Sequence, residues 1–245
     1  MTPEGVVLDS IVISDDTLVQ ASPSIAFGNG IYLVCWADNR AGFSDIYYAR
    51  VLPDGSVLDI GFPIHPDSAL QLSANVAFDG NNFFVVWTAY ENGGFNLCGA
   101  RIAVNGTVLD STPIAISIGD VSKFRPGISF DGSNYMVIWD DARLSAPEYD
   151  QWAARITPDG IVIDTNGIPI DTSTGNQLNS SITFLNHLYF ATWADFGSGN
   201  ADIYGRRISP FGYVIDTAAV AICTQTGDQE QPFVSCNTER FIIAW

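Results

Sequence analysis

The stretch that decides the fold runs Phe78-Asp79-Gly80-Asn81-Asn82-Phe83-Phe84-Val85-Val86-Trp87. It follows the short apolar run Asn75-Val76-Ala77, and it closes on a block of aromatic and β-branched residues. Between the two halves stands Asp-Gly, which supplies the positive φ that a tight hairpin needs. Two antiparallel strands are therefore predicted. The closing tryptophan then recurs along the whole chain, at Trp36, Trp87, Trp139, Trp193 and Trp245, at intervals of 51, 52, 54 and 52 residues. Nine residues before each lie Phe27, Phe78, Phe130, Phe184 and Cys236. A glycine at 5, 55, 106, 160 and 212 is followed four residues later by Asp9, Asp59, Asp110, Asp164 and Asp216. Arginine closes segments at 50, 101, 155 and 207. The markers keep order and phase, as true tandem repeats do.

Each unit holds four short segments of strand character and no stretch with a sustained helical period. In the second unit they are 75–78, 83–87, 97–102 and 108–116. The first pair is joined by Asp79-Gly80-Asn81-Asn82, the later pair by turns such as Pro53-Asp54-Gly55 and Pro158-Asp159-Gly160. An all-β chain of four-stranded units, each about 50 residues long, is predicted to form a ring of blades. Five units predict a five-bladed β-propeller occupying residues 1–245 as one domain. A solenoid has shorter coils, and a two-sheet sandwich does not repeat so strictly.

The repeat resembles the TolB-like propeller family. The residues that carry the resemblance are Pro23 and Pro126, Asp79-Gly80 and Asp131-Gly132, Asp45-Ile46-Tyr47 and Asp202-Ile203-Tyr204. It departs from that family in lacking Ser-Pro before Asp-Gly and in ending the second strand on Trp. The resemblance implies that the strand after Pro23 is innermost. On that phase an outermost strand at 6–13 opens the chain, and the second strand of a fifth blade closes it at Trp245. The last blade is then incomplete, or closed by the N-terminal strand, and further repeats or domains of a longer chain are an open expectation.

Composition narrows the function. The chain has 27 acidic and 10 basic residues, a net charge of −17, and Lys123 as its one lysine. Phosphate binding depends on Lys and Arg, so a nucleic-acid partner is excluded. No apolar run reaches the ~20 residues of a membrane span, so no membrane insertion is expected. Met1-Thr2-Pro3-Glu4-Gly5 has neither the basic start nor the apolar run of a signal peptide. The acidity suits an extracellular, cell-surface or periplasmic setting. Four cysteines (35, 98, 223 and 236) form no CxxC pair, and Cys35 and Cys98 read as buried thiols.

The strand order puts tight turns on one face of the ring and long loops on the other, where function usually gathers. Three long loops are bracketed by aspartates: Asp38 and Asp45, Asp141 and Asp150, Asp195 and Asp202. These are the candidate ligands for calcium, a hard cation that takes carboxylate and carbonyl oxygens. The competing reading makes the first aspartate of each pair a turn cap. The blade-connecting loops add Asp15, Asp16, Asp67, Asp120, Asp171, Asp228 and Glu230. Gln20, Gln71, Gln177 and Gln229 recur in phase, as lining for the channel mouth or as partners for loop backbone. Lys123 breaks that series beside Phe124 and Arg125, a cationic and aromatic contact on an acidic face. The tryptophans and the recurrent arginines read as inter-blade packing and blade-to-blade ion pairs.

Catalysis finds little support at this level. Only His65 and His187 exist, neither placed as a base, and the inner strands carry no carboxylate before the turn. Near-identical blades also argue against one unique active centre. The expectation is a non-catalytic binding or structural module of a secreted or surface protein, with a glycan, a protein or calcium as ligand. The alternative is a carboxylate-based glycan-cleaving enzyme using loop acids.

Overall fold

The computed structural model describes residues 10–66, 69–91, 93–144 and 147–245. Asp9, Asp67 and residues 6–9 of the expected first strand lie outside them. The described chain is all-β and forms five antiparallel sheets, one per repeat. Blade one contains β1 (Gln20–Gly28), β2 (Ile31–Asp38), β3 (Asp45–Val51) and β4 (Phe62–Pro63). Blade two contains β5 (Gln71–Phe78), β6 (Asn82–Glu91), β7 (Gly94–Ala103) and β8 (Ile114–Ser117). Blade three contains β9 (Lys123–Phe130), β10 (Tyr135–Asp141), β11 (Asp150–Ile156) and β12 (Ile168–Asp171). Blade four contains β13 (Gln177–Leu185), β14 (Leu188–Asp195), β15 (Asp202–Ile208) and β16 (Val220–Cys223). Blade five has two strands, β17 (Phe233–Cys236) and β18 (Phe241–Ala244).

The local reasons match the turn chemistry in the sequence. Asp79 Oδ1 accepts the backbone N–H of Asn81 and of Asn82 at 2.7 Å each, and Asp131 does the same for Ser133 and Asn134. In blade four the turn is Asn186-His187, both at positive φ, so His187 serves a hairpin. The second strand of each inner blade buries both faces, as period-two alternation requires in a sheet covered on two sides. Phe83, Val85 and Trp87 pack on blade one, while Phe84 and Val86 pack on blade three. Trp87, Trp139 and Trp193 are fully buried between blades, which gives the repeated tryptophan its packing role.

The recurrent arginines act within a blade rather than between blades. Arg50, Arg101, Arg155 and Arg207 bind the aspartate of their own third-to-fourth hairpin: Asp59, Asp110, Asp164 and Asp216. The nine-residue separation spans that hairpin and brings the two side chains together. Among the described residues a secondary bond crosses to the next blade from Arg50 Nη1 to the Val104 carbonyl at 3.1 Å.

Inner strands pack in succession, β1 on β5, β5 on β9, β9 on β13 and β13 on β17, with no comparable packing of β17 on β1. Exposure records that seam. Ile25 on β1 is 59% exposed, whereas its counterpart Ile182 on β13 is 7%. Residues 10–13 do not form a strand. They nevertheless stand where an outer strand belongs: Ile11 lies over Gly55 as Ile114 lies over Gly160, and Ser14 meets Arg40 as Ser117 meets Arg143. The fifth blade is thus incomplete, with its outer place occupied and its third strand lacking among the described residues.

Candidate functional site

The five inner strands enclose a central channel of about 850 Å³. At the same phase of each, Ser22, Ser73, Arg125, Asn179 and Gln231 hold positive φ between 51° and 60°. In the four complete blades this residue sits in a break in the register between first and second strands, a bulge. Bulges re-aim side chains, and non-glycine residues at such angles carry backbone strain that clusters at functional places. All five residues line the channel. No described lining residue is an aspartate or glutamate.

Four of the five bulges present a small or neutral side chain. Blade three presents Arg125, and behind it the repeat breaks twice more. Asp140 stands where the other blades have Ala37, Thr88 and Ala194, and Gln151 where they have Ile46, Leu97 and Ile203. The three side chains meet. Arg125 Nη1 donates to Asp140 Oδ2 at 3.1 Å, Gln151 Nε2 donates to Asp140 Oδ1 at 2.8 Å, and the Asn179 N–H donates to Oδ2 at 3.2 Å. Asp140 is wholly buried while the Arg125 side chain is about half exposed. Burial pushes the Asp140 carboxyl up to about 6, against the pull of Gln151 and Arg125.

A second raised carboxyl lies along the same bonds. Gln151 Nε2 also donates to the Gln177 carbonyl at 2.7 Å, and Gln177 Nε2 donates to Asp195 Oδ2 at 3.3 Å. Asp195 is pushed upward by partial burial and then by the nearby charge of Asp171. Ser173 Oγ stands between those two carboxylates, 2.6 Å from Asp171 and 3.4 Å from Asp195.

The residues singled out in the sequence divide accordingly. Arg125 belongs to this cluster, and Phe124 is the cross-strand neighbour of Asp140. Lys123 is buried, donates to the Val121 carbonyl at 2.8 Å, and takes the loop-binding place of the glutamines. Gln71 donates to the His65 carbonyl, Gln20 to Leu18, Gln177 to Ser173 and Gly175, and Gln229 to Gln225 and Gly227. None of these four glutamines lines the channel. They satisfy loop backbone, one of the two readings offered for them.

The calcium expectation is corrected here. Asp38 accepts the indole N–H of Trp36 and pairs with Arg40, and Asp141 does the same with Trp139 and Arg143. Asp45, Asp150 and Asp202 face Asp38, Asp141 and Asp195 across the ends of the second and third strands. Asp202 accepts Ser198 Oγ at 2.8 Å. At Asp38 and Asp141 tryptophan and arginine take oxygens that a cation would need, and the described residues gather no group of three His, Cys, Asp or Glu. All four cysteines are free, and burial pushes the Cys35 thiol up to about 12.

Several solved structures that superimpose on this ring are glycoside hydrolases. A thermostable family-43 glycoside hydrolase superimposes with a TM-score of 0.57 at 15% identity, over 86% of this chain and 78% of that one. The catalytic domain of the Coprinopsis cinerea family-62 α-L-arabinofuranosidase gives 0.55 at 12%, over 91% and 80%. An α-L-arabinofuranosidase from Podospora anserina, in complex with cellotriose, gives 0.54 at 11%, over 88% and 76%. No protein-family model and no curated protein matches the sequence. At these identities the likeness establishes the architecture. It corrects the TolB-like resemblance, whose turn and strand residues reflect hairpin chemistry common to propellers. The expectation of a non-catalytic module falls as well. It rested in part on interchangeable blades, and blade three is not interchangeable.

Proposed function

We propose that the chain is a carboxylate-based glycan-cleaving enzyme working at the long-loop mouth of its channel. The observation that carries this reading is the break in the repeat at blade three, which sets a titratable carboxyl behind the strained channel residue Arg125. Glycoside hydrolysis needs two carboxyl groups in different protonation states. Asp140, anionic above about pH 6, takes the base role once substrate draws Arg125 aside. Asp195, raised by partial burial and partly exposed, is the second carboxyl of the pair. Gln151 and Gln177 fix the two relative to each other. The fold shared with arabinose-releasing enzymes makes neutral plant-type polysaccharide the first substrate class to try, and such a substrate implies action outside the cell or on its surface.

The test is release of reducing ends from arabinan, arabinoxylan and related polymers by the wild type, Asp140→Asn and Asp195→Asn. Thermal melts would establish that each variant folds. Turnover by the wild type, lost in both variants, supports the reading. Absence of release from every polymer, or full activity in Asp140→Asn, would overturn it.

A further inference from the structure

Blade three also breaks the pattern on its rim. Four aromatic rings run in a row where blades two and three meet: Tyr90 to Phe95 at 5.0 Å between centroids, Phe95 to Phe124 at 4.6 Å, and Phe124 to Tyr149 at 5.9 Å. No other run of four rings occurs among the described residues. The row depends on side chains that the repeat does not call for. At the position of Phe124 the other units have Ala21, Leu72, Leu178 and Glu230, and at that of Tyr90 they have Asn39, Ala142 and Phe196. The blade-packing rings, such as Trp87 and Phe84, are fully buried. These four are not: Tyr90 is 45% exposed and the other three are half-buried. Phe124, third in the row, lies opposite Asp140 across the β9–β10 ladder, so the row passes beside the Arg125 cluster.

We infer that Tyr90, Phe95, Phe124 and Tyr149 form a stacking platform for a neutral polysaccharide chain, leading it to the channel mouth; this rests on the glycan-cleaving reading above. Aromatic rings present an apolar face to the C–H side of a sugar ring, while the Tyr hydroxyls and the Arg125 guanidinium remain to bond its hydroxyls. The choice of a neutral chain follows from charge. A protein of net charge −17, with carboxylates concentrated on this rim, repels uronic or sulfated polymers.

Affinity electrophoresis of the full chain through gels containing arabinan, arabinoxylan or mixed-linkage glucan, with polygalacturonate as the anionic comparison, reads the platform directly. The wild type is expected to be slowed by at least one neutral polymer and not by polygalacturonate. Tyr90→Ala, at an exposed position that leaves folding intact, is expected to weaken that retardation roughly five- to tenfold, as is Phe124→Ala, whereas Tyr90→Phe keeps it. Tyr213→Ala, an exposed ring on the opposite face, should change nothing. Equal retardation of wild type, Tyr90→Ala and Phe124→Ala overturns the platform, as does retardation by polygalacturonate alone or by no polymer. Asp140→Asn separates the two readings. Loss of turnover in Asp140→Asn together with unchanged binding in the ring variants removes the platform and leaves the enzyme. Ring-dependent retardation with full turnover in Asp140→Asn leaves the platform and removes the proposed base.

Discussion

Blades one and three share a backbone and differ in chemistry. At the bulge, blade one has Ser22, and behind it Ala37 and Ile46, which pack as an apolar layer. Blade three has Arg125, Asp140 and Gln151 in the same places, all joined by hydrogen bonds. The strained backbone is common to both blades, as the similar φ of Ser22 and Arg125 records. Strain by itself therefore does not mark function in this ring. What marks it is a buried ionisable group where the repeat offers an aliphatic one, a substitution that burial penalises unless every oxygen is bonded.

The sharpest way to break that comparison is to remove the charge. Asp140→Asn is expected to lower kcat by about 10²–10⁴-fold, the usual range for a lost acid–base group. It should also remove the acidic limb of the pH–rate profile near pH 6, the value to which burial raises this carboxyl. A limb that survives the substitution would assign that ionisation elsewhere.

The second test contrasts packing inside the ring with packing at its seam. Trp139, fully buried between blades two and three, should cost about 3–5 kcal/mol when replaced by alanine. Trp245, which is 55% exposed, should cost less than about 0.5 kcal/mol. Denaturant titration of both variants checks this, and equal losses would mean that the fifth blade is closed in solution.

Smaller effects follow from Arg125. Its removal leaves the Asp140 carboxylate short of one donor, a cost of about 1–2 kcal/mol at pH 7, held down because the guanidinium is half exposed. Ser22→Ala in blade one should fall within about 0.5 kcal/mol of wild type. Measured by chemical denaturation, similar values for the two variants would erase the distinction between the blades.

The pH dependence of stability gives a further contrast. Asp110 and Asp164 are partly buried, but the guanidinium of the paired arginine outweighs burial and holds each below the usual carboxylate range. Their contribution is present above about pH 4 and is lost as pH falls through the lowered value. Asp140 runs the other way. Its folded-state value is raised, so the folded protein binds more protons than the unfolded chain between about pH 4 and about 6, and stability falls as pH rises through that window. Asp140→Asn should flatten the decline, and an unchanged melting profile across the window would contradict the raised value.

The cluster was half legible in the sequence. Lys123, Phe124 and Arg125 stood out as one departure from the repeat, but Lys123 simply fills a glutamine's place in the loop. Asp140 and Gln151 were equally visible as departures, in columns otherwise held by Ala37, Thr88 and Ala194, or by Ile46, Leu97 and Ile203. They escape notice because strand alternation hides which columns meet. Nothing along the chain says that 125, 140 and 151 converge. The aspartate pairs are a related case: their spacing fits a cation loop, yet Trp36 and Arg40, on or beside the same strand, bind Asp38 in the fold. The arginines were placed between blades because a nine-residue separation does not reveal that a hairpin folds the two ends together.

The chain itself determined the all-β class, the number of blades and the order of strands within each. Those properties are set by local turn chemistry and by a hydrophobic period that each repeat states independently. Tertiary structure alone decided which departures from the repeat share a site, that the fifth blade is left open beside blade one, and that four rings align on the rim. Such facts depend on distances between side chains from different strands and blades, and a desolvated carboxyl acquires its altered acidity only when the surrounding blades have closed over it.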